Sequence, residues 1–287
     1  MGNLNLQNRK WALIFIIISS FFGVSCTHLF YHPDKFLYTT PEVEELKKES
    51  LFFKNDQGAK LHSWYIPPKA ATGHKGLILL FHGNAQNLSS HFKSLSWLCH
   101  QGYGLLVFDY QGYGLSEGSP SPRALAYDAK AALKLSMEVK TKHNYPKLIL
   151  YGQSLGGAVL LKGLEMMEQK IKTDLVVLDS TFSNYEDLTF DIMRNSFLLF
   201  IFSPLAYLFI SDEGNVDSYL PHFNYPALVI HGRFDQVVPF EHGKRVFKAL
   251  GGTNKQFWEI PQGLHTDVFF RHDGIYRKKF LHKLSTL

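Results

Sequence analysis

From residue 76 to the C-terminus, short continuous apolar runs alternate with longer stretches that are apolar on one side only. The runs are 77–81 (LILLF), 105–108 (LLVF), 147–151 (KLILY), 175–178 (LVVL) and 227–230 (ALVI). Runs of this length without polar alternation suit strands buried on both faces of a parallel sheet. Between them, 88–99, 122–142, 157–167 and 241–250 carry helical spacing, with Pro122 tolerated in a first turn. Residues 256–260 predict a last strand, and 269–284 a basic C-terminal helix that includes His272. Upstream, 51–54 and 60–66 flank Asn55-Asp56-Gln57-Gly58, which predicts an antiparallel hairpin. Before it, 28–41 is aromatic and punctuated by proline, an extended lead-in. Strands alternating with helices predict an α/β chain with a mostly parallel, doubly wound sheet and an antiparallel N-terminal hairpin. No repeat or linker divides residues 27–287, so one domain is expected, with a small helical cap inserted at about 182–222.

The run at 147–151 ends in Gly152-Gln153-Ser154-Leu155-Gly156, and a small-residue helical stretch follows at once. A strand, a sharp turn bearing serine and a helix make a nucleophile elbow. Glycines on either side let strand and helix approach closely around Ser154. The helix beginning there points free N–H groups and a positive dipole end at the reacting centre. The pentapeptide alone is weak evidence, because 114–118 (GLSEG) has the same form. That copy is followed by Ser119-Pro120-Ser121-Pro122, which opens no helix directly, so Ser154 and not Ser116 is the candidate nucleophile.

A serine hydroxyl needs an imidazole as base and a carboxylate to orient it. Two downstream carboxylates fall just past predicted strand ends, Asp179 and Asp235. Asp235, in HGRFDQVVP, is preferred, and Asp179 is the alternative. His265, in QGLHTD after the last strand, is the candidate base, and His272 is a poor rival. The oxyanion needs backbone donors placed where charge develops. The Leu155 amide follows the nucleophile, and the Asn84 amide follows His82-Gly83 at the end of the first parallel strand. His82 and His231 each precede glycine at a strand end and read as structural. Active sites of doubly wound sheets lie at the carboxyl ends of the strands, where all of these residues cluster.

Composition changes the picture only at the margins. A hydrophobic content of 45% excludes a disordered chain. The formal charge of +5 is spread along the sequence, with a basic excess between Arg271 and Lys283. Without a nucleic-acid motif it reads as a solvated face, and no nucleic-acid partner is assigned. The 14 histidines show neither H-E-x-x-H nor C-x-x-C spacing, so no metal and no cofactor are assigned. Cys26 and Cys99 make no disulfide framework. Residues 1–10 end in Arg9-Lys10, 11–24 is apolar apart from Ser19, Ser20 and Gly23, and Ser25-Cys26 follows. A basic start, an apolar stretch of roughly 14 residues and small residues before a cysteine read as an export signal, the stretch being short for a bilayer span. It resembles a bacterial lipoprotein signal, which implies that residues 1–26 are a signal or anchor segment and that Cys26 is lipidated. The chain is then anchored to the membrane through its N-terminus and exported, to the bacterial periplasm or outer envelope. An uncleaved N-terminal anchor is the alternative.

Taken as an ordered set, FHGNAQN, FDYQGYGLSEGSP, GQSLGG, HGRFDQVVPFEHG and GLHTD resemble the α/β-hydrolase superfamily. More narrowly they look like its Bem46 group, which includes the ABHD13- and ABHD17-type hydrolases and is related to the serine aminopeptidase type. The resemblance runs from about residue 51 to the C-terminus. It implies an α/β-hydrolase fold, a triad of Ser154, Asp235 and His265, and an oxyanion pair of Asn84 and Leu155. The chain departs from the pattern at Gln86 and Gln111, where the family tends to carry Gly and Arg.

These readings converge on a serine hydrolase that cleaves an ester or thioester through an acyl-enzyme, with a small-molecule or lipid-like acyl substrate. A peptidase of the serine aminopeptidase type is a rival. It requires acidic residues around the site, and Glu186, Asp187, Asp191, Asp212, Glu213 and Asp217 lie in the cap region. A non-catalytic scaffold is a third reading, opposed by the intact Ser, Asp and His set. The segment 197–210 (FLLFIFSPLAYLFI) is almost wholly apolar yet interrupted by Pro204. It reads either as core helices, or as an apolar surface that lines an acyl pocket or meets a membrane.

Overall fold

The computed structural model describes residues 30–38, 46–69 and 74–287. The expected signal or anchor, with Cys26, lies outside the described residues.

Eight strands form one sheet: β1 (Glu49–Lys54), β2 (Lys60–Ile66), β3 (Gly76–Phe81), β4 (Tyr103–Phe108), β5 (Leu148–Gln153), β6 (Leu175–Asp179), β7 (Ala227–Gly232) and β8 (Lys255–Ile260). Their spatial order is β1-β2-β4-β3-β5-β6-β7-β8. The β1–β2 and β2–β4 pairings are antiparallel, and the rest are parallel. Every residue of β3, β4, β5, β6 and β7 is buried, as continuous apolar runs require, whereas edge strand β8 is only half covered. The hairpin turns at Asn55, whose side-chain oxygen accepts from the Gln57 and Ala59 amides. That local bond is the reason asparagine starts such turns.

Helices cover both faces. On one side lie α1 (Pro122–Lys142) and α2 (Leu155–Glu165), with Leu125, Leu133, Leu160 and Leu161 fully inside. On the other lie Phe92, Leu95 and Leu98, together with Phe280 and Leu284 of the C-terminal helix. The β6–β7 connection carries α3 (Tyr185–Arg194), a 3-10 helix Phe200–Leu205 and a single α-turn Ala206–Phe209. After it come α4 (Phe240–Ala249) and α5 (Ile275–Ser285).

Two expected helices differ. Residues 88–99 do not form one helix. They form α-turns Leu88–His91 and Lys93–Ser96 and a 3-10 turn Trp97–Gln101. The serines cause this. Ser90, Ser94 and Ser96 each return a hydroxyl to the carbonyl three residues back, which favours tight turns over a long helix. The C-terminal helix begins at Ile275 rather than 269. Asp273 and Gly274 have φ of 49° and 77°, which no right-handed helix passes through. His272 accordingly sits in a 3-10 turn.

The sheet order places the site. From β3 the chain steps to β4 on one side, while β5 returns to the other side of β3. The connections leaving β3 and β5 therefore part in opposite directions, and a crevice opens between two strand ends already in register at Phe81 and Gly152.

Candidate active site

Ser154 joins β5 to α2 with φ 55° and ψ −121°, a conformation costly for any residue but glycine. The surroundings enforce it. A Cβ at Gly156 would lie 2.1 Å from the Phe81 carbonyl oxygen, and one at Gly152 would lie 2.5 Å from Gly157 Cα. The Ser154 amide donates to the Asp179 carbonyl at 2.8 Å, and the Thr181 hydroxyl donates to the Ser154 carbonyl at 2.7 Å. The end of β6 thus clamps the turn from the opposite side to β3.

His265, in the loop after β8, reaches Ser154 with one nitrogen and Asp235 with the other. Nε2 lies 2.9 Å from Ser154 Oγ, and Nδ1 lies 2.8 Å from Asp235 Oδ2. The other oxygen of Asp235 accepts from the Val237 and Val238 amides, each at 2.9 Å. Burial pushes the Asp235 carboxyl up, but the hydrogen bond and charge of His265 and the two amides outweigh it and hold the carboxyl below its ordinary range. His231 Nε2 donates to the Val238 carbonyl at 2.9 Å and so fixes the turn that carries Asp235. Asp179 is not bonded to His265. Its carboxylate accepts from the Tyr151 hydroxyl at 2.8 Å, and burial pushes it up to about 7.

Ser116, the serine of the other pentapeptide, is buried in its loop. It donates to the Asp109 carbonyl at 2.7 Å and accepts from the His62 amide at 2.9 Å. Asn84 is held by its side chain: Oδ1 accepts from the His32 amide and the Tyr113 hydroxyl, and Nδ2 donates to the Phe30 carbonyl. The backbone N–H groups of Asn84 and Leu155 meet no acceptor among the described residues, and both residues flank the Ser154 cleft.

Two clefts meet at Ser154. One, of about 380 Å³, is lined mainly by Phe30, Phe182, Leu188, Ile192, Val237 and Val238. The other, of about 270 Å³, is lined by Gly83, Ala85, His91, Gln153, His265 and Thr266. Burial pushes the His91 imidazole down to about 4, so it is neutral and faces the second cleft as a hydrogen-bonding group. Sequence reading missed His91, Gln153 and the part played by Phe30 and His32. No spacing marks them, because they come from a turn, a strand end and a lead-in that only the fold assembles. Gln111, where the family tends to carry Arg, ties its loop to Asp128 through Nε2 at 3.1 Å and its own amide at 2.8 Å. Asp128 is pushed up to about 6 by burial, so a neutral amide partner suits it. Among the described residues no cluster of His, Cys, Asp or Glu could hold a metal ion, and no helix is long and apolar enough to cross a membrane.

Comparison with known proteins bears on this geometry. Residues 72–208 match the family model described as serine aminopeptidase, S33. The chain is 32% identical over 286 residues to the uncharacterized protein YfhR of Escherichia coli K12, covering 97% of this chain and 95% of the relative. It is 29% identical over 256 residues to mouse lysophosphatidylserine lipase ABHD12, covering 82% of this chain and 60% of that protein. In fold it is similar to the Pyrococcus furiosus esterase Pf2001, with a TM-score of 0.67 and 20% identity over 89% of this chain and 96% of that one.

Proposed function

The chain belongs to the α/β-hydrolase superfamily, and from that premise we propose that it is a serine hydrolase of esters or thioesters with an apolar acyl group. The observation that carries the reading is the unbroken contact from Ser154 Oγ through His265 to Asp235. Ser154 attacks the acyl carbon while His265 Nε2 takes its proton. Asp235 holds Nδ1 and stabilises the imidazolium that forms. The Asn84 and Leu155 amides receive the oxyanion, where each preorganised donor is worth about 3 kcal/mol. The imidazolium returns its proton to the departing alkoxide or thiolate, leaving an acyl-enzyme. Water then attacks, with His265 as base, and releases the acid and Ser154.

The apolar cleft supports an acyl chain as occupant, and the cleft bearing His91 and Gln153 supports a polar leaving group. The relative named a lysophosphatidylserine lipase favours a lipid-like ester. Four of the six acidic cap residues that a peptidase would use on a free amine are engaged elsewhere. Asp187 and Asp191 pair with Arg245, Glu186 accepts from Asn215, and Asp217 accepts from Asn184. We place the protein at a membrane through its N-terminus, by a lipid on Cys26 after export and cleavage or, alternatively, by an uncleaved segment 1–26. A fluorophosphonate probe should label wild type and not Ser154→Ala, and p-nitrophenyl esters of rising chain length should be cleaved with rising kcat/KM. Labelling retained in Ser154→Ala would reject the nucleophile, and a flat chain-length profile would reject the acyl cleft. Mass spectrometry of the mature N-terminus decides between an acylated Cys26 and an intact Met1.

A further inference from the structure

The β6–β7 connection is built inside out. In the stretch from Phe197 to Leu208, the residues that face the protein are the small Ser203 and Ala206, at 4% and 2% exposure. The large ones point outward: Phe197 is 90% exposed, Leu198 78%, Ile201 69% and Leu208 60%, with Phe200, Phe202 and Tyr207 about half exposed. A helix seated on a protein core shows the reverse, with large apolar groups inward. No charged residue occurs between Arg194 and Asp212, so the ridge carries nothing that water alone would hold. Two carboxylates of the adjoining helix α3 are paired, and Asp187 also accepts from the ridge residue Tyr207 at 2.8 Å. Asp187 and Asp191 are bound by Arg245, and Asp191 also meets His242 at 3.0 Å. Apolar patches of this extent mark a surface that meets lipid or protein.

Chain geometry selects between these. The membrane attachment lies close to Phe30: Cys26 is four residues before it, and an uncleaved apolar run at 11–24 would end six residues before it. At about 3.5 Å per extended residue, the attachment point can lie no further than roughly 20 Å from Phe30. Phe30 is fixed against Phe182 and Tyr185, ring centroids 6.1 and 5.2 Å away, at the foot of α3. Helix α3 spans about 15 Å from there to the ridge. A surface that holds the N-terminal attachment is therefore within reach of the ridge. Ile192, exposed on α3, lines the apolar cleft that leads to Ser154, so the ridge continues into the site.

We infer that the ridge from Phe197 to Leu208 rests in the headgroup and upper acyl region of a lipid bilayer, with the cleft mouth facing that bilayer. This goes beyond the hydrolase reading: the ridge is a docking surface whatever the active site does. Apolar faces of this kind settle into the boundary between headgroups and acyl chains. The exposed Arg194 at its start is placed to meet anionic headgroups.

The test uses the full chain reconstituted in phosphatidylcholine–phosphatidylglycerol vesicles whose acyl chains carry bromine. Phe197→Trp and, as a control at the far edge of the sheet, Phe52→Trp each add one indole to the wild-type signal. The Phe197→Trp difference emission should be blue-shifted and quenched by the brominated lipid, and the Phe52→Trp difference should be neither. A blue shift without quenching means that a second copy or the chain's own residues 11–24 cover the ridge, and this overturns the inference. An unshifted emission leaves the ridge in water and overturns it as well. In parallel, the double variant Phe197→Asp, Ile201→Asp should lose roughly tenfold in turnover of a vesicle-borne ester while turnover of soluble p-nitrophenyl acetate is unchanged. Equal loss on both substrates would also count against it. The quenching measurement needs no catalysis, so its failure is separable from failure of the hydrolase reading.

Discussion

Residues 152–156 and 114–118 share one pentapeptide form and do opposite things with it. In the first, glycine lets backbone meet backbone: Gly156 abuts the Phe81 carbonyl, and Ser154 is left with its hydroxyl against His265. In the second, glycine makes room for a side chain. A Cβ at Gly114 would lie 1.9 Å from the Asp109 carboxylate, and Ser116 spends its hydroxyl on the Asp109 carbonyl and the His62 amide. The flanking elements make the difference. A strand feeding a helix forces a single residue into a strained turn with its side chain outward. A loop with no helix behind it lets the serine turn inward and satisfy itself.

The sharpest way to break the comparison is to remove each hydroxyl. Ser154→Ala should cost about 10⁶ in kcat, the scale seen when a triad nucleophile is deleted. Ser116→Ala should leave kcat within a few-fold. Steady-state kinetics on one p-nitrophenyl ester checks both, and a large loss in Ser116→Ala with Ser154→Ala active would exchange the two sites.

The same contrast holds between Asp235 and Asp179, which lie at the ends of different strands. Asp235 is bonded to imidazole and two amides and is held low. Asp179 is bonded to a phenol and is pushed up to about 7. Asp235→Asn should lower kcat by about 10⁴, because the amide favours the wrong imidazole tautomer, while Asp179→Asn should cost less than tenfold in the same assay.

Asp179 should instead appear in stability. Its folded value lies above its unfolded value near 4, so the folded state keeps a proton that the unfolded state releases. The stability tied to that proton is full below about pH 4 and is lost as pH rises through 7. At 1.4 kcal/mol per pH unit the loss is at most about 4 kcal/mol. Asp179→Asn should flatten the decline between about pH 4 and 7 in denaturant titrations, and an unchanged slope would reject it.

Much of this was legible in the sequence. Five fully buried strands read as such because nothing polar interrupts them, and the residues at their carboxyl ends cluster once a parallel sheet is assumed. What was not legible depends on contacts between distant segments. Ser90, Ser94 and Ser96 look helix-compatible until their hydroxyls return to the backbone. His91 and Gln153 enter a cleft only when a turn and a strand end are brought together. The 197–210 segment read equally well as core or surface, since hydropathy does not say which side of a helix faces the protein. The departures at Gln111 and Gln86 were visible, but their structural outcome was not: Gln111 bonds Asp128 through its side chain, while Gln86 pairs through its backbone with Pro33.

Ser116→Ala bears on stability as well as activity. It leaves the His62 amide and the Asp109 carbonyl each short of a partner in a buried loop. Leaving buried groups unpaired costs about 1–3 kcal/mol. The urea midpoint should fall accordingly with the slope unchanged, and a midpoint within error of wild type would mean that water replaces the hydroxyl.

The smallest effect is the most diagnostic of what strain is for. Ser154 and Gln86 both have positive φ, 55° and 54°. At Ser154 the strained turn holds the hydroxyl against His265. At Gln86 the side chain is exposed, and its backbone forms an isolated parallel bridge with Pro33, its carbonyl accepting from the Asp34 amide at 3.3 Å. A left-handed conformation costs a non-glycine residue about 1–2 kcal/mol. Glycine would remove that cost but would add about 0.5–1 kcal/mol of entropy lost on folding. Gln86→Gly should therefore be stabilising by about 0.5 kcal/mol, raising the melting temperature by roughly 1–2 °C. Gln86 lies two residues after the Asn84 amide, so if its rigidity serves the oxyanion donor, the same variant should lose a few-fold in kcat with KM unchanged. A gain in stability with kcat intact would make the strain at Gln86 incidental, and a loss of stability would mean that the neighbouring Ala85, at φ 64°, holds the turn only with Gln86 beside it.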